Sequence, residues 1–362
     1  MDDKKRKLSD IGELGLIKAF RKKCRCASPG LIQGIGDDSA AVNIKKGVTL
    51  ITSDMMLENI HFDLSYTTFY QLGSKLLAIN ISDVFAMGGK PKYFLLNIGV
   101  PENCMLKDID DLYGGVMNIA RRFRISVIGG DTCASQQGLV LSGTLTGETH
   151  HMIPRSGARP GDRIYVTGTT GDSAMGLMLL KKMEKSTLNK LKTHRLKSRN
   201  LSSPKLRSKK EDEKFQVRVK IDGKTVLLSD VLYLVNKHLM PDPVPLKQTK
   251  GISAMIDISD GLLMDLSHIC DESNVGALVY RNMVPVSREL SVVAKQLGFN
   301  PTAVSLRGGE DYVLLFTASP GTKVKNAVQL GEITRKGRYL IDDAGRKTPF
   351  HAEGYEHFKR TR

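Results

Sequence analysis

One aspartate, Asp83, stands inside "SKLLAINISDVFAMG" (74–88), a stretch whose only other charge is Lys75. The spacing predicts a helix, and at about 100° per residue Asp83 falls beside Leu76, Ile79, Asn80 and Met87. A helix apolar on nearly every side is buried. A carboxylate buried with it is costly unless a cation or hydrogen bonds compensate. A capping bond to a neighbouring backbone would meet that need locally, but the pattern recurs. Asp54 closes the apolar run "VTLITSD", Asp131 closes "ISVIGGD", and Asp257 and Asp260 sit in "AMIDISDGLL". Glu310 and Asp311 interrupt "VSLRGGEDYVLLF", and Asp37 and Asp38 follow the glycines of "GIGDDSAAV" with no cation near them in sequence. Asp260, just before "GLLMDL", also fits a helix N-cap. Strand ends in layered α/β folds converge on one crevice, so these acids are expected to meet.

A crevice lined by carboxylates repels itself until hard cations arrive. An all-oxygen donor set selects Mg²⁺ over zinc or copper, and Mg²⁺ usually accompanies phosphates. "GTTGDSAMG" (168–176) is a glycine turn opening a helix, which aims backbone N–H groups at an anion. It lacks the lysine of a P-loop, and a plain tight turn accounts for it equally well. With no nucleophilic triad in view, the chemistry these residues point to is phosphoryl transfer, which rests on positioning and charge neutralisation.

The remaining pattern is strand-like over 48–56 and 92–100, helical over 105–123, and strand-like again over 125–131 and 138–148. "RSGARPGD" (155–162) reads as a Pro/Gly hinge, dividing residues 1–154, a mixed α+β domain, from residues 155–362, an α/β domain. "RIYVTGTTGDSAMGLMLL" and "AMIDISDGLLMDLSHIC" each read strand, turn, helix. "VSLRGGEDYVLLFTA" holds enough apolar residues for two strands around its Gly-Gly-Glu-Asp centre.

The chain has 362 residues and a formal charge of +16. Residues 181–214 carry 13 Lys or Arg against four acids, a net +9, so the excess is local. This stretch, taken as an insertion over about 181–225, is poor in aliphatics and reads as a solvated surface element. The rival reading is a nucleic-acid-binding protein on an enzyme scaffold, but residues 181–214 hold no aromatic for base stacking. No apolar run approaches the roughly 18 residues of a membrane span. "MDDKKRKLSD" leads into no signal region, so a cytoplasmic protein is expected. The five cysteines are odd in number and scattered, so reduced thiols are expected.

Taken in order, "GIGDDSA", "TSDMMLENIHF", "LLAINISDVFAMGG", "VIGGDT", "RSGARPGD", "VTGTTGDSAMGL", "AMIDISDGL", "LRGGEDYVLLF" and "GYEHF" resemble the thiamine-monophosphate kinases. These belong to the aminoimidazole ribonucleotide synthetase-like ATP-dependent superfamily. The resemblance spans nearly the whole chain outside the basic stretch. It implies an N-terminal domain whose strands form a barrel across a homodimer, with a C-terminal α/β domain. It implies transfer from ATP, as co-substrate, to thiamine monophosphate with several Mg²⁺ ions. Position by position, it implies metal contacts at Asp38, Thr52, Ser53, Asp54, Asp83, Asp131, Asp257 and Asp260. It implies ATP contacts at Gly130, Asp131, Arg155 and Ser259, and acceptor contacts at His61, Glu310 and Tyr355. Here the metal motif runs "TSD" where the family has an "STD"-like order. His61 also suits a packed strand end, and Tyr355 a C-terminal packing aromatic. A relative with another acceptor is the alternative; the selenophosphate-type relatives need a reactive cysteine in a glycine-rich segment, and Cys24 and Cys26 sit in "RKKCRCAS".

A gel shift at low and high salt, with and without residues 181–214, is expected to show no salt-sensitive nucleic-acid complex. A complex that required the segment would establish the binding reading.

Overall fold

The computed structural model describes residues 31–33, 37–44, 47–184, 188, 218–352 and 354. The N-terminal part runs β1 (Leu31–Gln33), β2 (Ala40–Ile44), β3 (Gly47–Leu57), α1 (Phe69–Ala86), β4 (Lys90–Val100), α2 (Leu106–Phe123), β5 (Ser126–Gly129), β6 (Thr132–Ala134) and β7 (Val140–Thr149). Its sheet has the order β1-β2-β3-β7-β4-β5, with β6 also on β4. Pairing is antiparallel except where β5 and β6 lie parallel to β4.

The C-terminal part runs β8 (Arg163–Val166), α3 (Asp172–Lys182), β9 (Arg218–Ile221), β10 (Lys224–Leu227), α4 (Leu228–Leu239), β11 (Ile252–Asp257), α5 (Leu262–Ser273) and β12 (Gly276–Tyr280). It continues through α6 (Arg288–Leu297), α7 (Pro301–Arg307), β13 (Leu314–Ala318), β14 (Val328–Thr334), β15 (Arg338–Ile341) and β16 (Lys347–Pro349). The second sheet has the order β11-β13-β8-β14-β12-β15-β16 and is antiparallel at every pairing but β12 with β15. The expected α/β domain is therefore an α+β one, because most of its neighbouring strands run antiparallel. Among the described residues neither sheet closes into a barrel.

Two local differences from the sequence reading have clear causes. Helix α1 starts five residues before Ser74, because Thr68 and Gln71 form a capping box. Thr68 Oγ1 accepts from the Gln71 N–H at 3.3 Å, and Gln71 Oε1 accepts from the Thr68 N–H at 3.0 Å. The first half of "VSLRGGEDYVLLFTA" is the end of helix α7, not a strand. Asn300 caps the Ala303 N–H at 3.1 Å and Pro301 presets the first turn, and this start signal overrides the β-branched Val304. Residues 218–227, at the end of the expected insertion, form the β9–β10 hairpin, and its Ile221 and Val226 are buried with α3 and α4.

Helix α1 explains its own composition. One side packs on β3, β4 and β7, another on α2, and a third meets β11 of the C-terminal sheet. The N-terminal core accordingly includes Tyr165, Met255, Leu314 and Phe316 from the second sheet. The α1–α2 crossing is closed by two glycines: a Cβ on Gly73 would lie 1.9 Å from the Leu112 carbonyl oxygen, and one on Gly115 would lie 1.9 Å from that of Tyr70. Neither backbone can yield without parting the helices. Among the described residues no helix is long and apolar enough to cross a membrane.

Gly115→Ala is expected to destabilise the protein by about 3 kcal/mol in denaturant unfolding, through overpacking of the crossing. Gly114→Ala is the control: its Cβ would meet only the Tyr70 ring at 3.7 Å, so it should be neutral or slightly stabilising.

Candidate active site

The carboxylates singled out in the sequence meet where α1, β3 and β11 come together. Asp83 lies on α1, one turn from its end. Asp257 is the last residue of β11, and Asp38 stands in the short segment before β2. Carboxylate oxygens of Asp38, Asp83 and Asp257 all lie within 4.8 Å of one another. Thr52 Oγ1 donates to Asp83 Oδ2 at 2.5 Å, and Ser82 Oγ donates to Asp257 Oδ2 at 2.6 Å. Asp54 completes the group from β3, and its Oδ2 is buried with no hydrogen-bond partner among the described residues. Burial, then the neighbouring charges of Asp54, Asp257 and Asp38, holds the Asp83 pKa well above the usual carboxylate range. Burial and then Asp38 do the same to Asp257, and burial pushes Asp54 up to about 6.

Among the described residues one cation faces this group. Arg155 grips Asp38 with both arms, Nε at 3.1 Å from Oδ2 and Nη2 at 2.8 Å from Oδ1. Its backbone N–H donates to Asp37 Oδ2 at 3.1 Å. Burial disfavours the guanidinium charge, but Asp38 outweighs it and raises the Arg155 pKa above its ordinary value. Burial, then Asp38, pushes Asp37 up to about 7.

Beside the acids, the loop between α7 and β13 carries Glu310 and Tyr312, both left-handed (φ 61° and 52°) though neither is glycine. Their N–H groups donate to the carbonyls of Ser259 at 2.7 Å and Ile258 at 2.9 Å, which ties this loop to the end of β11. Lys75 Nζ lies 3.1 and 3.2 Å from the two Glu310 oxygens, and His238 Nδ1 lies 3.0 Å from Oε2. Burial opposes ionisation of Glu310, but Lys75 and the His238 hydrogen bond hold its carboxyl well below the usual range. Asp311 turns the other way and accepts from the N–H groups of Gly171 at 2.5 Å and Ser173 at 3.1 Å, at the start of α3. The glycine turn's N–H groups are thus engaged by the protein's own carboxylate.

Residues 36–149 match the AIR synthase related protein, N-terminal domain, and residues 159–341 match its C-terminal domain. Thiamine-monophosphate kinase of Aquifex aeolicus is 32% identical over 358 residues, covering 97% of this chain and 100% of the relative. The chain belongs to the thiamine-monophosphate kinase family. The Bacillus subtilis family member is 33% identical over 293 residues, covering 79% of this chain and 77% of its own. The solved structure of AaThiL complexed with AMPPCP and TMP superposes with a TM-score of 0.76 at 29% identity, covering 97% of this chain and 99% of that one. The Escherichia coli hydrogenase maturation protein HypE, at 17% identity and a TM-score of 0.56, shares the fold.

Against the expected positions of a thiamine-monophosphate kinase, the chain gathers Asp38, Thr52, Asp54, Asp83 and Asp257. Strand alternation turns Ser53 to the opposite face of β3, where its Oγ donates to the Gly143 carbonyl at 3.0 Å and lies 3.1 Å from Thr144 Oγ1. Asp131 is exposed and lies outside the carboxylate group, in a groove of about 720 Å³ that Met55, Asn97, Cys133 and Ser142 also line. Gly130 precedes it with φ 150°, and a Cβ there would sit 1.7 Å from the Leu96 carbonyl oxygen. Asp260 forms a neighbouring trio with Asp265 and His268, their ligand atoms within 4.8 Å. The Asp265 carboxylate accepts from the N–H groups of Ser259, Asp260 and Gly261, which fixes that loop. His61 Nδ1 accepts from the Leu57 N–H at 3.1 Å, which leaves its other ring nitrogen to carry the proton. Tyr355 lies outside the described residues. The sequence reading passed over Asp265, Lys75 and His238 as site residues. Asp265 gave the same signal as Asp83, an acid in an apolar helix, whereas nothing local marks His238.

The donor set fits magnesium: all-oxygen, crowded, and with one buried carboxylate oxygen on Asp54 left without a hydrogen bond. Asp54 and Asp37 bind a proton more tightly folded than unfolded, so their contribution to stability is full below about pH 3.8 and lost as pH rises through about 6 and 7. Glu310 acts in the opposite sense, but below its ordinary value of 4.5. In chelator, these two acids are expected to lower the melting midpoint between about pH 4 and 7, and Mg²⁺ should restore it. Asp54→Asn should flatten part of that fall in thermal melts across pH.

Proposed function

We propose that the chain transfers the γ-phosphoryl group of ATP to thiamine monophosphate, giving ADP and thiamine diphosphate. The observation that carries this reading is the meeting of Asp38, Asp83 and Asp257 from both domains within 4.8 Å, beside Arg155, in a chain of this family. The relative solved with AMPPCP and TMP, an ATP analogue and the acceptor, supports the substrate pair.

In this reading an oxygen of the acceptor's phosphate forms a bond to the γ-phosphorus, and the bond from that phosphorus to the β-γ bridging oxygen breaks in line. The attacking oxygen is anionic near neutral pH, so no side chain need remove a proton. Asp38, Thr52, Asp54, Asp83 and Asp257 would hold Mg²⁺, with Asp131 and Asp260 as further contacts; Ser53, on the opposite face of β3, is not among them. Bound there, Mg²⁺ offsets the repulsion between two anionic reactants and the charge gathering on ADP. Arg155, whose Nε and Nη2 already hold Asp38, brings its guanidinium charge and its remaining Nη1 donor to phosphate. Gly130 brings the backbone close to the nucleotide beside Asp131, and Ser259 contacts it from the second domain. His61, Glu310 and Tyr355 receive the acceptor.

The same reading includes a homodimer and a division near residue 154. Ile51, Met55, Tyr93 and Leu95 are exposed on the N-terminal sheet's outer face, with Ile128 on its β5 edge. A second copy covering them would join two sheets into a barrel and bury the apolar surface.

ADP release from ATP and Mg²⁺, with and without thiamine monophosphate, tests the reading directly. Acceptor-dependent ADP with matching thiamine diphosphate is expected. Asp54→Asn and Asp257→Asn should each lower turnover by about a hundredfold or more while leaving the protein folded. ADP formed without regard to the acceptor would mean a different acceptor on the same scaffold.

A further inference from the structure

Lys75 is an unusual residue for its place. It sits mid-way along α1, whose other charge is Asp83, and only 5% of its side chain is exposed. Its ammonium spans both oxygens of Glu310, at 3.1 and 3.2 Å. His238, with 3% of its side chain exposed, closes on Oε2 from the end of α4 at 3.0 Å, and Ser173 Oγ lies 3.1 Å from the same ring nitrogen. Glu310 itself keeps 32% of its side chain exposed. An ion pair whose cation is sealed and whose anion is partly open presents its negative end outward.

Packing alone does not explain it. Replacing a buried ion pair by apolar residues of similar size is often neutral or stabilising, so a purely structural site on this helix would suit leucine or methionine. The backbone adds to the cost, since Glu310 and Tyr312 both take left-handed conformations that non-glycine residues avoid. Strain and buried charge held together at a crevice are the marks of a pre-positioned binding group. The loop's bonds to Ser259 and Ile258 place that group next to the carboxylates, and the buried Tyr312 hydroxyl feels the charges of Glu310, Asp54, Asp257 and Asp83 together.

Resting on the kinase reading above, we propose that Lys75 and His238 are positioning residues for acceptor specificity. They lock the Glu310 carboxylate so that its open edge receives the amino group or the cationic ring of the acceptor's organic half. Thiamine monophosphate offers both, an aminopyrimidine and a thiazolium. In the kinase reading the nucleotide is met by Arg155, Gly130 and Ser259 and the acceptor by Glu310, so Lys75 and His238 act on acceptor binding and not on ATP.

The test is a steady-state comparison of wild type with Lys75→Met, Lys75→Arg, His238→Asn and His238→Leu, reading the KM for each substrate alongside the melting midpoint. Lys75→Met is expected to raise the KM for thiamine monophosphate about tenfold or more, with the KM for ATP within about twofold. Its midpoint is expected to fall by a few degrees, because one partner of the pair is removed and Glu310 is left uncompensated, so the split between the two KM values is the deciding readout. Lys75→Arg should recover part of the loss, and His238→Asn, which keeps a donor near the Nδ1 position, should cost less than His238→Leu. A Lys75→Met protein that does not fold leaves the same split to be read in the His238 pair. Both KM values rising together, or neither moving, would overturn the inference while the kinase reading stands. A wild type without acceptor-dependent ADP release would overturn both.

Discussion

Mutual repulsion among carboxylates governs the centre of this molecule. Asp38, Asp83 and Asp257 arrive from three separate stretches of chain and two domains, and like charges at such distances oppose one another strongly in a crevice walled by apolar residues. The protein answers with a bidentate Arg155 on Asp38, hydroxyl donors from Thr52 and Ser82, and raised pKa values on the acids left over. These measures tolerate the cluster without neutralising it. The remaining demand for positive charge makes the site's stability dependent on pH.

Helix α1 is the element through which the two domains share that site. Its burial against the first sheet, against α2 and against β11 requires an apolar surface on nearly every side. The two charges it keeps therefore stand out: Asp83 faces the carboxylate cluster and Lys75 faces Glu310. Two turns of helix separate Asp83 from Lys75, so one rigid rod sets the spacing between the carboxylate cluster and Glu310. The close α1–α2 crossing at Gly73 and Gly115 anchors that rod. The loop carrying Glu310 is in turn hydrogen-bonded to Ile258 and Ser259, just past Asp257 at the strand end.

Much of this was readable from residue order, for a definite reason. A carboxylate inside an apolar run is expensive, so Asp83, Asp54 and Asp257 announce themselves locally, and their periodic surroundings indicate whether helix or strand carries them. The same logic would have found Asp265. It fails for His238, whose role rests on a contact 72 residues away in sequence, with Glu310. It also fails for Ser53, because "TSD" reads as one motif while strand alternation sends its middle residue to the other face. The glycine turn at 168–176 reads as an anion site, yet Asp311 already occupies two of its N–H groups.

Sequence by itself determined most of the strand and helix order of the N-terminal part, the apolar character of α1, and the acids that must find compensation. These are local properties of spacing and burial cost. Only the tertiary structure decided that the C-terminal sheet is largely antiparallel, that Arg155 rather than a lysine answers Asp38, and that Lys75 and His238 stand behind Glu310. Each of those depends on which strand lies next to which, and on approach between residues far apart in the chain. Local propensity carries no term for such pairings; they are selected when the whole core packs.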